Sequence, residues 1–165
     1  MKVSHAGRPE EKAAKYRELA REVEAVLGEE RDPLVWMATL ACLIRQKFEH
    51  FWVGFYRVSG GQLVIGPYQG TLGCLRIDFS RGVCGASARS KKTVIVPDVH
   101  RFEGHIACDS RSNSEIVVPV FDDRDRLCAV LDIDSIDFGA FDTTDQKYLE
   151  SIVHRMRGLA WTEPA

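Results

Sequence analysis

No uninterrupted apolar stretch in the 165-residue chain approaches the roughly 20 residues that a bilayer-spanning helix needs. The opening MKVSHAGRPEEK likewise lacks the hydrophobic segment of a secretory signal. Neither sign of charge dominates: 22 Lys and Arg face 24 Asp and Glu, for a net charge of −2, and the basic residues do not run together. That removes the electrostatic footprint of a nucleic-acid or anionic-membrane partner. There is no internal repeat, low-complexity tract or linker, and no Cys-x-x-Cys pair. The spacing of Cys74, Cys84 and Cys108 matches no structural zinc pattern. These absences lead us to expect one cytoplasmic domain with neither metal nor cofactor. A Cys3His set completed by His100 or His105 is the remaining metal alternative.

The chain is rich in ordinary globular material, 45% hydrophobic and 28% charged, enough for a sizeable core. It also has five cysteines, at positions 42, 74, 84, 108 and 128. In a reducing compartment a structural disulfide framework is not expected, so exposed thiols point to redox or catalytic work.

Apolar periodicity predicts a helix over Glu10–Leu27, with Tyr16, Leu19, Val23, Val26 and Leu27 on one face and Gly28 as its stop. Asp32 and Pro33 are N-cap and first-turn signals for a second helix, which from Leu34 to Ile44 reads as buried on most sides, with Cys42 as a small core residue. FWVGFYRV and GQLVIGPY, joined through Ser59-Gly60-Gly61, form a hairpin. TLGCLRIDFSRGVCGASARS reads as a loop and then a short helix from about Gly82. TVIVPDV, SEIVVPVFD and RLCAVLDID are further strands, and Cys128 in the last is expected to be inert. Thr143 and Gln146 have capping-box spacing before a helix that places Leu149, Ile152, Val153 and Met156 on one face. The resulting class is α+β. Residues 1–48 supply N-terminal helices, 49–140 a mainly antiparallel sheet with active-site loops, and 141–165 a C-terminal helix.

Strand alternation puts Trp52, Gly54 and Tyr56 on one face, either a slot with aromatic walls or simply core. In VLDID, Asp132 and Asp134 share one face about 7 Å apart. If that face is enclosed, burial and mutual repulsion raise their pKa values, and Glu115 can join from a neighbouring strand. Cys84 lies at a predicted helix N-terminus, where the dipole favours thiolate, whereas Cys108 sits in the polar loop GHIACDSRSNS. The residues alone leave the choice between them open.

GPYQGTLGCLRI, RGVCGASA, DVHRFEGHIACDSRSNSEIVVPV and VLDIDS together resemble the free methionine-R-sulfoxide reductase family, a catalytic branch of the GAF-domain fold. The resemblance implies a single GAF-like domain that reduces free L-methionine (R)-S-oxide. Cys108 would be the nucleophile, Cys74 the resolving thiol, and Cys84 a third thiol of variable participation. It gives Glu115 and Asp134 the sulfoxide oxygen with Asp132 beside them, Trp52 and Tyr56 the thioether methyl, and Asp98 or Asp132 the ammonium. It further implies recycling by a thioredoxin-type reductant, a part in resisting oxidative stress and a possible homodimer. The resolving step asks the Gly70–Gly73 segment to move. A non-enzymatic GAF ligand sensor and a thiol redox switch are the alternatives.

Overall fold

Two aspartates set where the outer helices begin. Asp32 accepts a hydrogen bond from Leu34 N–H at 2.8 Å and opens α2 (Pro33–Phe48), which packs against α1 (Pro9–Leu27). Asp142 caps α4 (Thr143–His154), accepting from Thr144 N–H at 2.7 Å, while Asp145 accepts from Asp142 N–H at 2.8 Å. The capping box is thus one residue earlier than the Thr143/Gln146 pair that the sequence spacing predicts. Asp145 serves it because it is buried and also receives Lys12 Nζ at 2.6 Å and Tyr16 Oη at 2.8 Å. That cluster clamps α1 to α4.

The computed structural model describes residues 8–106 and 108–162. Its strands are β1 (Trp52–Ser59), β2 (Gln62–Gln69), β3 (Arg76–Asp78), β4 (Val94–Val96), β5 (Ser114–Phe121) and β6 (Leu127–Ser135). They form one sheet in the order β3-β2-β1-β6-β5-β4, with each neighbouring pair antiparallel. α3 (Gly82–Ser90) lies between β3 and β4 in the chain.

The sheet has two covered faces. Val53, Phe55, Ile116, Val118, Leu131 and Ile133 bury one against α1, α2 and α4. The alternate residues Trp52, Tyr56, Val117 and Val130 bury the other against α3 and the loops, with Val83 and Cys84. The site forms on this second face.

Three local expectations change. Val26 is 61% exposed, because the buried stripe of α1 runs through Tyr16, Leu19, Val23 and Leu27 and leaves Val26 turned aside. Leu34 and Val35 at the start of α2 are also exposed, and Cys42 is half-buried. β3, read as loop from the sequence, is a short edge strand whose register is set by its partners in β2, Gln62 to Val64.

Candidate active site

Directly opposed residues of an antiparallel pair share a face. Asp134 of β6 is opposite Trp52 of β1 on one side and Glu115 of β5 on the other. Asp132 is opposite Gly54 and Val117. Two ladder rows therefore bring the three acids and the aromatic strand together. Gly54 is required here: a Cβ would stand 2.5 Å from Trp52 Cη2 and would strike Tyr68 Cβ as well. Without one, the indole lies along the strand, stacked 5.9 Å from the Tyr56 ring and 5.2 Å from the Tyr68 ring. Trp52 Nε1 donates to the carbonyl of Thr71 at 2.9 Å, which seats the β2–β3 loop over the ring.

That loop is joined to the one preceding β5 by a disulfide between Cys74 and Cys108, with Cα atoms 5.7 Å apart. Thr71 Oγ1 donates to Asp109 Oδ2 at 3.0 Å, adding a second tie. The Asp109 carboxylate also accepts from Arg111, which holds it far below the usual carboxylate range, and the Arg111 guanidinium covers the Phe51 ring at 4.8 Å. Cys108 is exposed and Cys74 half-buried. Beneath them a cavity of about 50 Å³ is walled by Trp52, Tyr56, Cys84, Glu115, Asp132 and Asp134. Ordinary ligand pockets measure roughly 300–1,000 Å³, so the disulfide form is a closed form.

The electrostatics of the wall favour neutral acids. Glu115 has its pKa pushed well above the ordinary carboxyl value by burial and then by the Asp134 charge. Burial and the Glu115 charge do the same to Asp132. Burial and the Asp132 charge raise Asp134, against which Ser112 Oγ donates at 2.8 Å. Asp132 Oδ1 is buried with no hydrogen-bond partner among the described residues. His105 Nε2 lies 3.6 Å from Glu115 Oε2, and burial lowers the basicity of this imidazole.

Cys84 corrects a local expectation. It does occupy the first turn of α3, but its thiol is buried, and burial followed by the Asp132 and Glu115 charges pushes it well above the ordinary thiol value. A helix dipole contributes only about 0.3–1 kcal/mol and is outweighed. Cys84, Glu115 and Asp132 each bring a ligating atom within 4.8 Å of the others. In the disulfide form Cys74 and Cys108 have no thiol to offer the Cys3His alternative. Cys128 is buried on β6 with its thiol raised to about 11 by burial.

Asp98, expected beside the ammonium, is not in the cavity wall. Its carboxylate caps the 3-10 turn Val99–Arg101, accepting from His100 N–H at 3.0 Å, and lies 3.5 Å from Arg101 Nε. The Asx-turn chemistry of Asp98 explains the placement. Ser112, Tyr68, Thr71 and Asp109 are site residues that sequence reasoning did not single out. All four lie within the runs GPYQGTLGCLRI and GHIACDSRSNSEIVVPV, and that placement was the signal that could have found them.

A GAF domain model matches residues 37–157. Free methionine-R-sulfoxide reductase of Escherichia coli is 38% identical over 148 residues, covering 89% of this chain and 89% of that protein. The crystal structure of free methionine-R-sulfoxide reductase from Neisseria meningitidis in complex with its substrate superposes with a TM-score of 0.85 at 44% identity, covering 88% of each chain. The reduced form of the Staphylococcus aureus enzyme matches with a TM-score of 0.83 at 38% identity, over 86% of this chain and 92% of that one. Fold and site thus define a GAF domain whose binding hollow carries a redox thiol pair. Within that class, the chain belongs to the free methionine-R-sulfoxide reductase family.

Proposed function

We propose that this protein reduces free methionine (R)-sulfoxide to methionine, with Cys108 as nucleophile and Cys74 as resolving thiol. One observation carries the reading: a Cys74–Cys108 disulfide closes directly over a wall of acids held neutral by burial. A sulfoxide sulfur is a poor electrophile until its oxygen gains a proton, and a carboxylic acid that stays protonated near neutrality can donate one. Glu115 and Asp134 take that role. The Cys108 thiolate attacks the sulfur, the oxygen passes to Cys108 as a sulfenic acid, and methionine departs. The Cys74 thiol then condenses with the sulfenic acid. A disulfide forms, the oxygen leaves as water, and two electrons have passed from the thiols to the substrate.

Trp52 and Tyr56 hold the thioether methyl against their rings. Asp132, whose Oδ1 has no hydrogen-bond partner among the described residues, ionises as the ammonium docks against it, while loop N–H groups bind the carboxylate. Because the disulfide form is closed, the β2–β3 loop must part from the Cys108 loop to admit substrate. A thioredoxin-type dithiol restores both thiols by exchange. The same reading places the protein in the cytoplasm as a defence against oxidative stress. It also allows a homodimer through α1 and α2, where Val26, Leu34 and Val35 stand exposed.

The test is NADPH consumption in a mixture of this protein, thioredoxin and thioredoxin reductase. The separated R and S sulfoxides and the N-acetylated R analogue are supplied in turn. Turnover with the free R form alone is expected. A ligand sensor or redox switch would leave NADPH untouched with all three.

A further inference from the structure

We infer that Leu72 and Leu75 form the surface on which a protein dithiol docks to reduce the Cys74–Cys108 disulfide, with Arg76 supplying its charge. This rests on the reductase reading for the origin of the disulfide. Leu72 is 76% exposed and Leu75 is 68% exposed, and they flank Cys74 in the segment between β2 and β3. Single exposed leucines are common and need no explanation. Two within four residues of a disulfide that another molecule must reach are a different matter.

Local geometry displays them. Ile77 of β3 is buried, and continued strand alternation would bury Leu75 on the same side. Instead, Ile65 N–H donates to the Leu75 carbonyl at 3.0 Å, fixing the backbone where the side chain faces solvent. Leu72 closes the other flank, where it also lines the cavity. Arg76, next in the chain, is exposed, and no ion pair holds it among the described residues. An apolar pair beside an unpaired cation is complementary to a dithiol protein whose reactive cysteine is rimmed by apolar side chains with an acidic residue nearby.

The step itself balances. A thiolate of the partner attacks one sulfur of the Cys74–Cys108 bond, forming a mixed disulfide and releasing the other sulfur as a thiolate. The partner's second thiol then attacks the mixed disulfide and frees the remaining cysteine. The partner leaves oxidised by two electrons, and its two thiol protons end on Cys74 and Cys108. Small thiols gain nothing from Leu72 and Leu75, because they bury no surface there.

Stopped-flow reduction of the oxidised protein tests this without methionine sulfoxide, reading the second-order rate constant with reduced thioredoxin and, separately, with dithiothreitol. Leu75→Ser should slow thioredoxin about tenfold and leave the dithiothreitol rate unchanged. Arg76→Glu should slow thioredoxin to a lesser degree and lose its effect at high salt. Equal thioredoxin rates for the wild type and Leu75→Ser would overturn the inference, as would equal slowing with both reductants. Failure of the reductase reading shows separately, as no methionine formed when sulfoxide meets the wild-type dithiol.

Discussion

Glu115 carries the most chemistry per atom in this site. Burial, first, and the Asp134 charge, second, hold it protonated well above the usual carboxylate range. For a carboxyl with a raised folded-state value, the protonated form is the one the fold prefers. Its stabilising contribution is complete below the ionisation of the unfolded chain, near pH 4, and is lost as pH rises through the raised value. Activity should follow the same sign, with the methionine-forming step declining on the alkaline side as the acid ionises. Glu115→Gln keeps a hydrogen-bond donor but has no proton to give. Its single-turnover rate should fall by about 10²–10⁴, and the alkaline decline should move or vanish; an unchanged rate measured across pH would remove Glu115 from the chemistry. This residue was legible in the sequence because period-two alternation in VLDID and SEIVV is a local rule. Cys84 and Asp98 were not, since their fates depend on what packs on them. The dipole at Cys84 is local, but the three carboxyls above it come from two strands distant in sequence.

At the scale of elements, helix starts were readable to within a residue, and the one-residue offset at α4 is informative. The spacing of Thr143 and Gln146 imitates a capping box, whereas the box that forms uses Asp142 and Asp145. Asp145 is only 1% exposed and is shared with Lys12 and Tyr16 of α1, so tertiary contact selects the register. Removing one partner of a buried ion pair leaves the other uncompensated. Asp145→Ala should therefore destabilise the protein by about 3 kcal/mol, seen as a lower urea midpoint. The low end of the usual range is expected because Lys12 Nζ keeps the Ala140 carbonyl and Asp142 Oδ2, each at 3.0 Å. A midpoint unchanged from wild type would mean that the clamp contributes nothing net. β3 escaped the sequence reading for a related reason. A three-residue edge strand has too few positions to show alternation, and its partner in β2 defines it.

The whole molecule divides its labour between two faces of one sheet. The helical face is closed and apolar and gives the rigidity that a precise site needs. The other face keeps a hollow under two loops that the disulfide ties shut. The class of fold was legible because hairpin, strand and helix signals agree along the chain. The Cys74–Cys108 pairing between loops on either side of α3 and β4 leaves no periodic trace and was legible only through the family resemblance, which the structure bears out. Within the fold, only the convergence of a thiol and neutral acids separates a reductase from a binding domain of identical architecture. Cys74→Ser, mixed in reduced form with one equivalent of free methionine (R)-sulfoxide and a sulfenic-acid trap, tests that convergence most directly by mass spectrometry. About one methionine per chain, with the trap carried on Cys108, is the predicted result. No methionine, or a trap carried on Cys84 with Cys108 unmodified, would contradict it.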